Sequence, residues 1–279
     1  MSFPMSPTLR CGDRTLDLSR PVVMGVVNVT PDSFSDGGRF LPLEAAVAHG
    51  VRLAEEGAAI IDIGGESTRP GAAPVSVEEE LQRVVPVVER LRAATQAVIS
   101  VDTSKPEVIR AAVVAGAGLI NDVRALAEPG ALEAAAASGC AVCLMHMQGD
   151  PRTMQRAPSY VDVVKEVKAF LDERVRICRA AGVSLERIAV DPGFGFGKTL
   201  EHNLELLRRL RELHDGLPML VGLSRKSMVG ALTGRSAGER VHGSVALAVI
   251  AAINGARIVR AHDVAVTVDA LKMVDAVYL

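Results

Sequence analysis

Tryptophan is absent from this chain, and aromatic residues fill only 3% of its 279 positions. Its core must therefore come mainly from Val, Ile, Leu and Ala, within a hydrophobic share of 49% that is ordinary for a soluble globular protein. Cysteine is scarce as well: Cys11, Cys140, Cys143 and Cys178 are the full set. Four thiols behind a start (MSFPMSPTLRC) with no basic stretch leading into an apolar one point to a reducing, cytoplasmic setting. A chain of this length buries a large core without disulfides. Charge of either sign is nearly balanced at a net −2, which excludes a non-specific nucleic-acid binder but permits a local cluster of cations. The longest apolar run, Val245 to Ile253, falls far short of the roughly 20 residues that cross a bilayer, so no membrane partner is expected. No Pro/Gly/Ser-rich linker or low-complexity tract divides the chain. A single domain over 1–279 is expected, with its core at about 20–275.

What is present is a regular alternation. Short apolar runs at 21–27, 59–63, 98–101, 118–120, 140–145, 188–190, 219–222 and 257–259 each precede a segment of helical period. In the first such segment Leu43, Val47, Gly50, Val51 and Ala54 fall on one stripe. Capping boxes are expected at Ser76-x-x-Glu79 and Ser104-x-x-Glu107, the latter with Pro106 in a tolerated first-turn position. The runs lack polar alternation, as strands covered on both faces do, and such strands are parallel. Eight βα units in about 250 residues is the size of an α/β (β/α)8 TIM barrel, with a doubly wound sheet as the structural alternative on pattern alone. Ahead of it, TLRC-GD-RTLDL predicts a short N-terminal β-hairpin that plugs the barrel bottom.

In such a barrel the chemistry sits at the carboxyl ends of the strands. There this chain places Asn28, Asp62 with Glu66, Asp102, Asn121 with Asp122, His146, Asp191, Ser224-Arg225-Lys226-Ser227 and Arg260-x-His262-Asp263. A lone Asp at a strand end is commonly a helix cap or a satisfied loop carboxylate, but polar residues at every strand end together mark a binding site. Asp102, Asn121 and Asp191 suit a flat heterocycle rich in N–H donors and ring nitrogens. Arg69, Arg225, Lys226, Arg260 and His262 bring positive charge for phosphate or carboxylate.

Two motifs point elsewhere and are set aside. GFGFGKT (193–199) resembles a phosphate-binding loop, but its required first glycine would fall at Pro192, so the glycines read as a turn under the ligand. Cys140-x-x-Cys143 has no second pair to complete a zinc site and lies in a run read as buried.

The order and spacing of NVTPDSFSDGG, GGESTRPGA, SVDTSKP, MHMQG, DPGFGFGK, SRKS and RAHDV resemble the dihydropteroate synthase family over roughly residues 20–275. The resemblance implies condensation of 6-hydroxymethyl-7,8-dihydropterin pyrophosphate with 4-aminobenzoate, releasing pyrophosphate with Mg²⁺ assisting. It implies that Asp102, Asn121, Asp191 and Lys226 hold the pterin, with Met145, Phe196 and Gly222 packing nearby. It gives Asn28 to Mg²⁺, Arg260 and His262 to pyrophosphate, and Ser227 to the aminobenzoate carboxylate. Thr68 and Arg69 would lie near the substrates, and Asp36 would help Mg²⁺ and the developing cation. The catalytic set it implies is Asp36, Asp102, Asp191 and Lys226. The roles of Asp122 and Glu66 stay open between contact and support. Two alternatives differ in recognisable residues: a pterin-binding methyltransferase-like barrel needs neither the Arg69 loop nor a pyrophosphate site, and a non-catalytic paralogue would lack some of the pterin or anion residues. Ala261, where the family often has a bulkier residue, should face the core.

Residues 243–256 (GSVALAVIAAINGA) contain only Ser244 and Asn254 as polar side chains. An outer barrel helix normally shows a charged face to water, so something should cover this one. Either a second copy does so, making a homodimer, or the final helix at 264–279 does. Family members commonly dimerise through this end of the barrel, which favours the homodimer.

Overall fold

The computed structural model describes residues 8–29, 40–67, 73–150, 153–213 and 216–278. A two-stranded antiparallel hairpin, β1 (Thr8–Cys11) and β2 (Arg14–Asp17), comes first. It turns at Gly12, whose φ of 63° favours glycine. The remaining strands form one parallel sheet of eight: β3 (Val22–Asn28), β4 (Ile60–Gly64), β5 (Val98–Asp102), β6 (Leu119–Asp122), β7 (Ala141–Met145), β8 (Ile188–Asp191), β9 (Leu220–Gly222) and β10 (Ile258–Ala261). The order β8-β7-β6-β5-β4-β3-β10-β9 closes through a parallel bridge between Val190 and Met219, where Val190 N–H donates to the Pro218 carbonyl at 3.0 Å. This is the expected barrel, its seam narrowed to one bridge.

Helices α1 (Phe40–Glu55), α2 (Val77–Ala94), α3 (Pro106–Val114), α4 (Ala131–Ser138), α5 (Val163–Ala180) and α6 (Leu200–Arg208) follow β3 to β8 in turn. Between β9 and β10 come two helices, α7 (Ser227–Thr233) and α8 (Val241–Ile253), where the apolar period predicts one. Gly234 caps α7 in the left-handed region and ends it early. α9 (Val264–Tyr278) closes the order. Capping departs from expectation in one place. Ser76 accepts from Glu79 N–H at 3.2 Å, as predicted, but the N-cap of α3 is Lys105 and makes no side-chain cap bond. Ser104 instead donates its hydroxyl to Asp122. A buried carboxylate is the stronger acceptor, and it draws the serine across to β6.

The hairpin seats as expected. Leu9, Cys11, Leu16 and Leu18 pack against the inward residues at the strand starts, among them Met24, Ile60, Val98 and Ile258. The chain at Cys11 runs so close to β6 that a Cβ on Gly118 would stand 2.7 Å from the Cys11 carbonyl oxygen. A second and larger apolar layer lies between strands and helices. All four cysteines are free and buried. Burial pushes the Cys11 thiol up to about 12 and the Cys178 thiol up to about 11. Ala261 is buried, as expected. Among the described residues no helix is long and apolar enough to cross a membrane.

Leu9 is fully buried at the end of the barrel opposite the strand termini that face the mouth. Leu9→Ala should lower the unfolding free energy by about 2–5 kcal/mol, read from urea titration, and leave ligand affinity at the mouth unchanged. A loss below about half a kilocalorie would mean that the hairpin is not part of the core.

Candidate active site

Parallel register sets the mouth of the barrel. Gly64 lies opposite Asp102 and Asp102 opposite Asn121, so β4, β5 and β6 end side by side. Met145 lies opposite Asp191, and Arg260 opposite Gly222. Asn28 stands opposite Gly64, one strand further round. Six of the residues expected at the site thus occupy neighbouring strand ends, with Asn28 at their margin.

The centre of this arrangement is a residue that the motif reading leaves out of the site. Asp62 has no exposed surface. Its Oδ1 accepts from the Ser100 hydroxyl at 2.6 Å, and its Oδ2 from Asn121 Nδ2 at 3.1 Å and Arg260 Nε at 2.7 Å. Arg260 Nη2 donates to Asp102 Oδ2 at 3.0 Å, so one guanidinium serves two carboxylates. Arg260 therefore points into the carboxylate cluster, and its Nη1 has no partner among the described residues. The signal for Asp62 is visible in AIIDI, where an acid interrupts an otherwise apolar strand.

Burial, and then the Asp62 carboxylate, push Asp102 up to about 7, with Arg260 working against both. Burial also raises Asp191, opposed by Lys226 and by the Gly193 N–H, which donates to Asp191 Oδ1 at 2.7 Å. Lys226 is drawn down to about 8 by burial, with Asp191 holding it up. Its ammonium donates to the Phe194 carbonyl and stands 4.7 Å from the centre of the Phe196 ring. A Cβ on Gly222 would meet Lys226 Nζ and Arg260 Cβ at 3.8 and 4.0 Å, so both cationic side chains pass within contact distance of this strand end. Met145 is buried beside Asp191, and Ser227 is exposed at the start of α7.

Three rim residues do other work. Arg225, in the left-handed region at φ 57°, forms a two-bond pair with Asp263 at 3.0 and 2.5 Å. Its charge is matched there, which corrects the expectation of a free anion-binding arginine. His146 turns outward, its ring edge-on to Phe170 at 5.0 Å, and its Nδ1 lies 2.9 Å from Lys198 Nζ. Burial and then Lys198 bring His146 down to about 3. His262 stays at the mouth, its backbone N–H donating to Ser224 Oγ at 3.2 Å and its Nδ1 3.1 Å from the same oxygen. It lines one cleft with Asn28, whose carboxamide has no partner among the described residues.

Glu66 and Asp122 are supports. Lys105 Nζ donates to Glu66 Oε2 at 2.7 Å, to the buried Glu80 at 2.5 Å and to the Val75 carbonyl at 2.8 Å. The chain leaving β4 and the chain entering α2 are thereby joined by one ammonium. Asp122 accepts from Arg124 and Leu126 N–H at 2.8 and 2.7 Å and holds a turn in which Ala125 and Leu126 are left-handed. Asp36, Thr68 and Arg69, expected at the site, lie outside the described residues. The GFGFGKT segment does not open as a phosphate loop: Lys198 is buried against backbone carbonyls, and α6 begins only at Leu200. Among the described residues no group of three or more His, Cys, Asp or Glu could hold a metal.

A profile of the pterin binding enzyme family matches residues 24–262. The chain is 59% identical over 263 residues to the dihydropteroate synthase of Escherichia coli K12, covering 94% of this chain and 93% of that protein. A solved dihydropteroate synthase of Xanthomonas albilineans with 4-aminobenzoic acid is 59% identical and superposes with a TM-score of 0.92, covering 98% of each chain. Another from the same organism, in complex with 7,8-dihydropteroate, is 56% identical with a TM-score of 0.89, covering 97% of this chain and 98% of the other.

The raised Asp102 has a thermodynamic consequence. An unfolded Asp ionises near pH 4, so between about pH 4 and 7 the folded protein keeps a proton that the unfolded chain releases. Asp102 thus favours folding at the acidic end, and that contribution is lost as the pH rises through 7. Asp102→Asn should remove it. Between about pH 5 and about pH 8 the wild type should lose more stability than the variant in parallel urea titrations. Identical pH slopes would place the Asp102 pKa in the ordinary range.

Proposed function

The chain belongs to the pterin binding enzyme family, among the dihydropteroate synthases, and from this we infer that it makes 7,8-dihydropteroate. It joins 6-hydroxymethyl-7,8-dihydropterin pyrophosphate to 4-aminobenzoate and releases pyrophosphate. The observation that carries this reading is that Asp102, Asn121 and Asp191 stand on the ends of β5, β6 and β8, with Lys226 held beside Asp191 and within contact distance of Gly222. Acceptors and donors on fixed strand ends read the edge of a flat ring better than mobile loops would.

In the reaction the bond from the exocyclic CH₂ to the pyrophosphate oxygen breaks, and the aminobenzoate nitrogen forms the new C–N bond and loses a proton. The dihydropterin nitrogens share the positive charge left on the CH₂, so the enzyme has to steady a cation on one side and a leaving anion on the other. Asp191 and Asp102 stand on the cation's side. Arg260 Nη1 and His262 serve the pyrophosphate. Ser227 offers an exposed hydroxyl to the aminobenzoate carboxylate. Thr68 and Arg69 attend the same substrate, and Asp36 the metal and the cation.

Mg²⁺ fits the residues present. It takes few protein ligands, prefers oxygen, and completes its shell with phosphate oxygens and water. The unpartnered carboxamide of Asn28, in one cleft with His262, offers such an oxygen. When bound, the ion would neutralise charge developing on the pyrophosphate. Pyrophosphate release should depend on both 4-aminobenzoate and Mg²⁺. Full turnover in excess EDTA would remove the metal from this reading, and absence of product under saturating substrates and Mg²⁺ would remove the reaction.

The same reading includes a homodimer. α9 covers part of α8 within the chain: Leu247, Ala248, Ala251 and Ala252 are buried. Yet Leu232, Ile250, Val266, Met273 and Val277 remain exposed on the outer faces of α7, α8 and α9. Apolar residues spread over three adjacent helices support a covering partner, and an isologous contact between two copies is the commonest way to cover such a face. Ile250→Asp should shift the mass measured by light scattering at micromolar concentration from dimer to monomer. A wild type that is monomeric there would refute the dimer.

A further inference from the structure

Lys198 belongs to the segment that resembles a nucleotide loop, and the reaction above gives it no role. It is 3% exposed, and its ammonium donates to the Gly193 carbonyl at 2.9 Å and the Phe196 carbonyl at 3.0 Å. His146 Nδ1, 2.9 Å away, takes the third bond, and the His146 carbonyl lies at 3.5 Å. Three donors meet neutral acceptors, and no carboxylate hydrogen-bonds the group among the described residues. Burial draws this amine down to about 7, and its three bonds to the loop and to His146 are what offset the cost of burying it.

Those bonds shape one loop. Gly193, Gly195 and Gly197 have φ of 68°, 79° and 63°, and a Cβ at Gly193 would collide with the His146 carbonyl oxygen. From the side facing the mouth, Lys226 grips the same loop through the Phe194 carbonyl and the Phe196 ring. The Gly193 N–H meanwhile donates to Asp191. The loop is therefore the physical link between Lys198 beneath it and the Asp191–Lys226 side of the mouth above it.

We propose that Lys198 is a positioning residue for the pterin end of the site, fixing the 192–197 loop so that Asp191 and Lys226 present their charges to the ring. This rests on the pterin reading above. Lys198→Met keeps the length of the side chain and removes its three donors. Calorimetry with 6-hydroxymethyl-7,8-dihydropterin pyrophosphate should show binding weakened about tenfold, while the KM for 4-aminobenzoate stays within about twofold. Amide exchange at residues 193–197 should accelerate. A folded variant with unchanged pterin affinity overturns the proposal, as does an equal change in both constants, which would mark a general loss of structure. If the variant does not fold, NMR of ¹⁵N-lysine-labelled wild type decides: the Lys198 ammonium signal should move when the pterin pyrophosphate is added, and an unmoved signal overturns the proposal. A wild type that binds no pterin pyrophosphate sinks the functional reading instead. The exchange measurement still stands in that case, since unchanged exchange in Lys198→Met would sink the loop assignment by itself.

Discussion

A carboxylate without exposed surface, Asp62, marks the level at which the apolar barrel interior ends and the mouth begins. A charge in that position is tolerated only when it is paired and hydrogen-bonded. Ser100 on β5, Asn121 on β6 and Arg260 on β10 all turn toward it. Those three side chains come from strands on both sides of β4, so the carboxylate ties four strand ends into one orientation. It also fixes which edge Asn121 presents, because the amide nitrogen is committed to Asp62 and the amide oxygen faces away from it.

The state of Asp102 follows from its burial and from this pairing. Arg260 offers Nε to Asp62 and Nη2 to Asp102, and a single positive charge cannot fully satisfy two carboxylates. Burial, and then the Asp62 carboxylate, raise Asp102 to about 7, and the shared Arg260 offsets them only in part. A ring that brought N–H donors to Asp102 would supply the hydrogen bonds that Arg260 cannot, and would favour the ionised form. The arrangement costs folding stability above neutral pH, a cost of the kind that functional sites commonly carry.

The fold was largely legible because it depends on periodicity and length. Uninterrupted apolar runs mean buried parallel strands, and the number of βα units fixes closure into a barrel. The hairpin could be read from Gly12-Asp13 between short apolar segments. Two helices between β9 and β10 escaped, because α7 is short and its glycine cap looks like any loop glycine. At the site, the residue types at strand ends were readable, while their directions were not. Sequence places Arg225 and His146 on the rim beside Lys226 and Arg260, yet Arg225 turns to Asp263 and His146 to Phe170 and Lys198. Which neighbour is nearest depends on helix packing far along the chain: Asp263 lies 38 residues from Arg225, and Lys198 52 from His146. Ser104 shows the same limit, because its local cap competed with a distant buried carboxylate and lost.

The corrected directions sharpen the charge pattern of the mouth. With Arg225 matched by Asp263, and Lys105 held by Glu66 and Glu80, two cations near the rim are withdrawn from it. Lys226 remains beside Asp191 on the β8–β9 side, and Arg260 projects from β10 toward β4 and β5. Carboxylates occupy the strand ends between them. The Asn28–His262 cleft lies further round, at the ends of β3 and β10. Lys226 and Arg260 each lie against a carboxylate, so the two signs of charge alternate around the mouth on groups whose places the strand ends fix. For a reaction whose difficulty lies in parting a cation from pyrophosphate, holding charges of both signs in place in advance is the chief contribution a rigid barrel can make.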